Sequence, residues 1–254
     1  MRIEKILYII LIAHTLWNPA MYGQTSREKL DYIKGVCDLP DEDTAIRCLL
    51  AESKKYPKNE HIWFKLGWYM QKRSLDEKAK EYYLECVRIN PSHAGAYINL
   101  GNIYLARDDE KTAETYYAKA MANAQDLPDV HYNIGVLYMK KNNLQKAREH
   151  LHKSLEIKPD DPQAHLNYGV VYMRLYQENS EKKMIQYAKA HFLKAIELQS
   201  GYANAYYNLA MACEHENNPG LAIRYYREAA RYYPDHSTFK RKSLNRIRYL
   251  ESTR

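Results

Sequence analysis

Residues 98–120 read INLGNIYLARDDEKTAETYYAKA, and the same skeleton returns along most of the chain. Gly101 has counterparts at Gly67, Gly135 and Gly169, each 34 residues from the next. The stretches FKLGWYM, INLGNIY, YNIGVLY, LNYGVVY and YNLAMAC align on that position. Twelve residues after the first three glycines come Ala79, Ala113 and Ala147, and four further on Tyr83, Tyr117 and Leu151. Pro91 and Pro159 close two of the blocks. A fixed period of this length marks an array of small repeated units. The residue types explain how one unit packs. A glycine on one helix and an alanine on the next let two backbones approach closely, and the aromatic fills the space towards the neighbouring unit. Proline ends the second helix because it cannot continue the hydrogen-bond ladder. No single pair buries its apolar stripe alone, so the units must stack.

Composition agrees with an all-helical chain. The 254 residues include only nine Gly and nine Pro, too few turn-formers for many short strands. Tyrosine stands out, 25 against three Phe and three Trp. A ring with a polar tip suits a thin core or groove that is never far from water. The net charge of +7 is concentrated at one end. Ser237 to Arg254 holds six Lys or Arg against Glu251 alone, which is +5 of the total. The remainder is nearly balanced, which argues against nucleic acid as a partner.

The array resembles the tetratricopeptide-repeat family. Repeat 60–93 gives Trp63, Leu66, Gly67, Ala79, Tyr83, Cys86 and Pro91, and repeat 94–127 gives Tyr97, Leu100, Gly101, Tyr104, Ala113, Tyr117 and Ala120. Repeat 128–161 gives Ile134, Gly135, Tyr138, Ala147 and Pro159. Repeat 162–202 gives Gly169, Tyr172, Ala188, Phe192 and Ala195, and repeat 203–236 gives Tyr206, Leu209, Ala210, Ala222, Tyr226, Ala229 and Pro234. The resemblance implies a right-handed superhelical solenoid of helix-turn-helix repeats. Residues 24–59 read as a degenerate first repeat or cap, with Ile33 at the glycine slot and Glu52 at a small-residue slot. Repeat 162–202 carries seven extra residues before Ala188, about two helical turns. Shared between both helices, they would keep the faces in phase and build a knob at one edge, either a length variant or a second contact site. Residues 237–254 read as a basic capping helix, with an acidic partner or an anionic membrane surface as alternative roles.

The start of the chain, MRIEK followed by ILYIILIA and HTLWNPAMYGQ, has the organisation of a secretory signal over residues 1–23, too short in its apolar run to span a membrane. The expectation is an exported chain, periplasmic or secreted, with an uncleaved membrane anchor as the alternative. Membrane contact is otherwise expected only at the basic C-terminal helix. Cys37 and Cys48 either pair in an exported chain or serve as small buried residues. No metal-ligand spacing, HExxH, GxSxG or phosphate-cradling loop occurs, so neither cofactor nor metal nor catalysis is expected. His131 and His165 fall at the repeat's bulky core slot.

The resemblance also implies that the first helix of each pair lines a concave groove and that the residue two before the glycine points into it. That slot holds Asn99, Asn133, Asn167 and Asn208. An amide both donates and accepts, so the ladder suits an extended peptide backbone, as does the similar ladder of the O-GlcNAc transferase repeat domain. Neighbouring slots add Asn102, Tyr132, Tyr207, Met139 and Met173 as expected peptide-binding residues. The family's carboxylate-clamp variety is not matched, since only Lys65 occupies a suitable slot. The reading is a scaffold or adaptor that holds a protein or peptide segment in its groove. The alternative is an envelope assembly factor, like pilus-assembly proteins in general plan, working through its convex face.

Overall fold

The computed structural model describes Cys37 and residues 39–253, and all twelve regular elements among them are helices. The expected signal segment and the front of the degenerate repeat lie outside the described residues. The chain divides into two units, Met1–Pro91 and Ser92–Arg254. The first unit contains α1 (Glu42–Lys55), α2 (Glu60–Lys72) and α3 (Asp76–Ile89). The second contains α4 (Ala94–Ala106), α5 (Glu110–Asn123), α6 (Pro128–Lys140), α7 (Leu144–Ile157), α8 (Pro162–Asn179), α9 (Lys182–Leu198), α10 (Ala203–His215), α11 (Pro219–Tyr232) and α12 (Thr238–Ser252).

Local chemistry sets the helix ends. Asp41, Asn59, Asp109, Asn143, Asp161 and Asn218 each cap a helix by accepting a backbone N–H of the first turn, which satisfies a donor the helix cannot. Pro128, Pro162 and Pro219 start α6, α8 and α11, where a missing N–H costs nothing. Each pair turns through one residue in the left-handed region: Ser74, Asp108, Asn142, Ser180 and Asn217, with φ from 55° to 61°. In four of these turns the next residue donates back to the closing turn of the first helix, as Asn143 N–H does to the Tyr138 carbonyl at 2.9 Å. That bond fills a carbonyl the helix end leaves open.

Within a pair the glycine of the first helix receives a bulky side chain of the second, so that side chain fills the pair's own interior. A methyl placed on Gly101 would lie 2.4 Å from Tyr117 Cε1, and one on Gly169 would lie 2.5 Å from Phe192 Cε1. Tyr117 and Phe192 are themselves fully buried. Successive pairs in the second unit are joined by apolar clusters. One holds Leu166, Met173, Ile185, Phe192 and Leu209 from α8, α9 and α10. Another holds Leu144, Leu151, Leu155, Tyr168 and Val171 from α7 and α8. Polar ties repeat as well. Lys140 donates to the Leu105 carbonyl at 2.9 Å and Arg174 to the Met139 carbonyl at 2.7 Å. A cation thus meets the C-terminus of the preceding first helix, the favourable end for positive charge.

The seven extra residues lengthen α8 to 18 residues and α9 to 17, against 13 and 14 in α6 and α7. The phase survives: Ala188 and Phe192 remain at 0% exposure opposite Gly169.

In the first unit Cys37 and Cys48 form a disulfide with Cα atoms 5.7 Å apart, which resolves the two readings of that pair. Glu52 is buried and its carboxylate meets Lys55 at 2.7 Å, so a charge-neutralised glutamate fills the slot where a small residue is usual. Closing an 11-residue separation by a crosslink contributes about 3 kcal/mol by loop entropy. Reduction is therefore expected to raise amide hydrogen-exchange rates in α1 by about a hundredfold while leaving α8 and α9 unchanged. Uniform exchange with and without reductant would contradict it.

Candidate functional site: the groove of the second unit

Asn99, Asn133, Asn167 and Asn208 occupy one equivalent slot on α4, α6, α8 and α10, and all four are partly exposed. Their amides are not in equivalent states. Asn133 Nδ2–H donates to the Asp129 carbonyl at 2.7 Å and Asn208 Nδ2–H to the Asn204 carbonyl at 2.8 Å. Each bond reaches back one turn of its own helix. Asn167 Nδ2–H donates to the Tyr132 hydroxyl at 2.8 Å. The Asn99 side-chain amide makes no hydrogen bond among the described residues, although its backbone lies within α4. An amide has two N–H donors and a carbonyl, so each committed asparagine retains groups for a ligand.

The other expected binding residues divide. Tyr132 is partly exposed, and burial first of all pushes its phenol up to about 12. Asn102 accepts from the Tyr117 hydroxyl at 2.6 Å, which gives its carbonyl a structural task in holding the core ring. Met139 is partly buried against the α7–α8 cluster. Met173 is a core residue, not a groove residue: it is 6% exposed and packs with Ile185 and Phe192. The cause is the lengthened pair. Met139 is the penultimate residue of α6, whereas α8 continues beyond Met173 to Asn179.

Tyr207 packs edge-on against Tyr226 and Phe239, with centroids 5.5 Å away in both cases. It also lines a cavity of about 600 Å3 walled by α10, α11 and α12. Met211 and His215 of α10 share that wall, and Lys242, Arg246 and Tyr249 of α12 form the other. Glu214 accepts from Arg246 Nε–H at 2.6 Å and so ties α10 to α12.

Two histidine pairs escape a reading of histidines as isolated residues. His131 and His165 are buried, as their slot implies. Each faces a second histidine across its helix pair: His131 Nδ1 lies 3.3 Å from His150 Nδ1, and His165 Nδ1 lies 2.9 Å from His191 Nδ1. His131 Nε2 lies 3.1 Å from the Gln125 carbonyl and His165 Nε2 lies 2.9 Å from the Pro159 carbonyl. A carbonyl only accepts, so each Nε2 carries the proton and each Nδ1 accepts from its partner. Burial first, then His165 and His152, lower the pKa of His191 to about 4. Burial first, then His131, lower that of His150. The signal was present in the register: His150 lies 15 residues after Gly135, and His191 lies 22 after Gly169, the difference being the seven-residue insertion. Other repeats place Trp63 with Tyr82, Tyr97 with Tyr116 and Tyr206 with Tyr225 at these slots.

Tetratricopeptide repeat profiles match residues 60–93, 82–115, 128–161 and 203–236. The chain belongs to the tetratricopeptide-repeat family. Three of the matched spans coincide with the helix pairs α2–α3, α6–α7 and α10–α11, and the fourth runs from α3 into α5. No curated protein sequence matches the chain. Among solved structures, it is similar to PilW, a type IV pilus biogenesis factor, with 20% identity and a TM-score of 0.71 over 87% of this chain and 99% of that one. It is similar to PilF of Pseudomonas aeruginosa, with 19% identity and a TM-score of 0.63 over 76% and 89%. It is also similar to YrrB, described as a tetratricopeptide-repeat protein with an unusual peptide-binding site, with 21% identity and a TM-score of 0.55 over 77% and 97%. These likenesses establish a tetratricopeptide-repeat fold, and the repeats themselves support a protein-interaction scaffold. No helix among the described residues is long and apolar enough to cross a membrane.

Proposed function

We propose that this tetratricopeptide-repeat protein is a non-catalytic adaptor that holds an extended segment of a protein partner along α4, α6, α8 and α10. The observation that carries the reading is the recurrence of a partly exposed asparagine at the same slot on all four helices. Side-chain amides at a regular interval can pair with successive peptide groups whatever the partner's side chains are. The Tyr207–Met211 end of the groove supplies an apolar seat for one anchoring residue.

Each direct hydrogen bond contributes about 1 kcal/mol, so losing four costs well over tenfold in affinity. The test is the fourfold variant Asn99→Ala, Asn133→Ala, Asn167→Ala and Asn208→Ala, compared with the native chain against the partner recovered from native cells. Folding is checked by circular dichroism, since alanine favours helix over asparagine. Undiminished affinity in a folded variant would sink the groove reading.

The Cys37–Cys48 disulfide supports an exported chain, because such bonds persist in oxidising compartments. A second reading, an envelope assembly factor, draws on the knob formed by lengthened α8 and α9, which leaves Tyr187 exposed beside Lys183. A photocrosslinker at Lys182 that captures the partner, with none captured from Asn167, would favour that reading.

A further inference from the structure

The cavity walled by α10, α11 and α12 combines aromatic side chains with cations. α12 presents two stripes. Ser243, Ile247 and Leu250 are buried, the last two against α10 and α11. Lys242, Asn245, Arg246 and Tyr249 line the cavity. Steps of three, four and seven residues put the second set on one helical face. Tyr249 is 54% exposed there, the most exposed of the large apolar side chains among the described residues.

The charge around this cavity is one-sided. Arg246 is matched by Glu214 and Lys240 by Asp235. Arg241, Lys242 and Arg248 have no ion-pair partner among the described residues. Lys242 is on the cavity wall, and Arg241 and Arg248, seven residues apart, share the flank of α12 turned away from its buried stripe. Glu214, already committed to Arg246, is the one carboxylate on the cavity lining. A capping helix needs a polar outer face, but an unmatched lysine on the wall of an open aromatic cavity, with two further unmatched cations on the outer flank of the same helix, exceeds that need. A flat membrane surface fits poorly, because the aromatic and methionine side chains line a concavity and do not form the exposed apolar face of an interfacial helix.

We propose that this surface seats an acidic segment of a partner protein, with one aromatic or long aliphatic side chain in the Tyr207–Met211–Tyr249 cavity and carboxylates against Lys242, Arg241 and Arg248. The proposal rests on the groove reading for the path of the segment and adds the chemistry of what binds. A basic segment would leave the three cations facing like charge, and a neutral one would leave them unmatched. Because the cations are exposed, the charge component is screened by salt and acts strongly on association rate.

The experiment uses the full chain and fluorescence anisotropy with three labelled peptides of about twelve residues. One has glutamates around a central phenylalanine, the second has lysines in place of the glutamates, and the third has alanine in place of the phenylalanine. The acidic phenylalanine peptide is expected to bind about tenfold or more tightly than either of the others, and less tightly as salt rises. The variant Lys242→Glu with Arg248→Glu is expected to weaken it by about tenfold, and Tyr249→Ala to remove the preference for phenylalanine over alanine. Equal binding of the lysine peptide, or indifference to charge reversal in a folded variant, overturns the proposal. So does charge-dependent binding to phosphatidylserine vesicles without peptide binding, or a dimer of this chain that charge reversal dissolves. The fourfold asparagine variant separates the two readings. If partner binding needs the asparagines but the acidic peptide shows no charge preference, only the acidic proposal falls. If the asparagine variant binds normally while peptide binding remains charge-dependent, the acidic proposal stands and the ladder falls.

Discussion

Truncating Tyr117 to alanine is expected to lower the stability of the second unit by about 3–5 kcal/mol. The ring is fully buried between α4 and α5, and its hydroxyl donates to Asn102 at 2.6 Å. Alanine would leave both a cavity and a carbonyl without its donor. Gly101→Ala is expected to be destabilising for the opposite reason. Its methyl would stand 2.4 Å from the Tyr117 ring, and that ring has no free space to retreat into. Overpacking of this kind costs about 1–3 kcal/mol, offset by the roughly 1 kcal/mol that alanine gains over glycine within a helix. The two changes should couple. In the Tyr117→Ala background the methyl enters the vacated space, so Gly101→Ala becomes neutral or stabilising. Denaturant melts of the four species test this directly, and additive effects would show that the glycine is not there to admit the ring.

Acidification from pH 7 to pH 4 is expected to destabilise the folded chain, with the histidine pairs as an identifiable part of the loss. His191 has its pKa lowered to about 4 in the fold, against about 6.5 for an unperturbed histidine. Between those values the unfolded chain binds the extra proton and the folded chain does not. Stability from this group is therefore complete above about pH 6.5 and is lost as pH falls towards 4. His150 is lowered as well and acts in the same direction. The surroundings of His191 offer no carboxylate among the causes that shift it: His165 and His152 face it, and Tyr168 and Tyr172 pack on its ring, with centroids 4.6 and 5.9 Å away. Around His150 the opposing charges are Glu149 and Lys146. Replacing one pair by the tyrosines that other repeats carry, His165→Tyr with His191→Tyr, should flatten the pH profile. The native chain is expected to lose on the order of 5 °C more in Tm between pH 7 and pH 4 than this variant. Parallel profiles would rule out the pair as a source of acid sensitivity.

The repeat architecture was legible because its determinants are local and periodic. Gly67, Gly101, Gly135 and Gly169 fix the register, and after the first three of them the packing residues follow at twelve and sixteen places. Even the insertion was readable, since about two turns shared between two helices leave Ala188 and Phe192 in phase. Individual side chains of the groove were less legible. Met139 and Met173 occupy the same slot in sequence, but only Met173 becomes core, because α8 runs on past it and α9 closes over it. The four asparagines share a slot too, yet their hydrogen bonds depend on neighbours the repeat does not fix. Asn167 finds a hydroxyl because residue 132, 35 positions earlier, is a tyrosine. The histidine pairs were within reach of the sequence, but only if both helices are numbered from the glycine and the insertion is subtracted.

The sulfur atoms of the chain carry one more consequence. Four cysteines allow three ways of making two crosslinks, and the chain makes one crosslink and leaves Cys86 and Cys213 as thiols. Both thiols are wholly inaccessible, and burial, with Glu60 adding a little, pushes Cys86 up to about 12. The attacking species in disulfide exchange is the thiolate, so packing α3 and α10 into their pairs withdraws both residues from exchange. In an oxidising compartment the order of events then matters. The cysteines at 37 and 48, eleven residues apart, meet soonest along the chain, while the other two stay out of error only once their helices are seated. Seating of α3 and α10 in their pairs is thus what keeps Cys86 and Cys213 from competing for the Cys37–Cys48 crosslink.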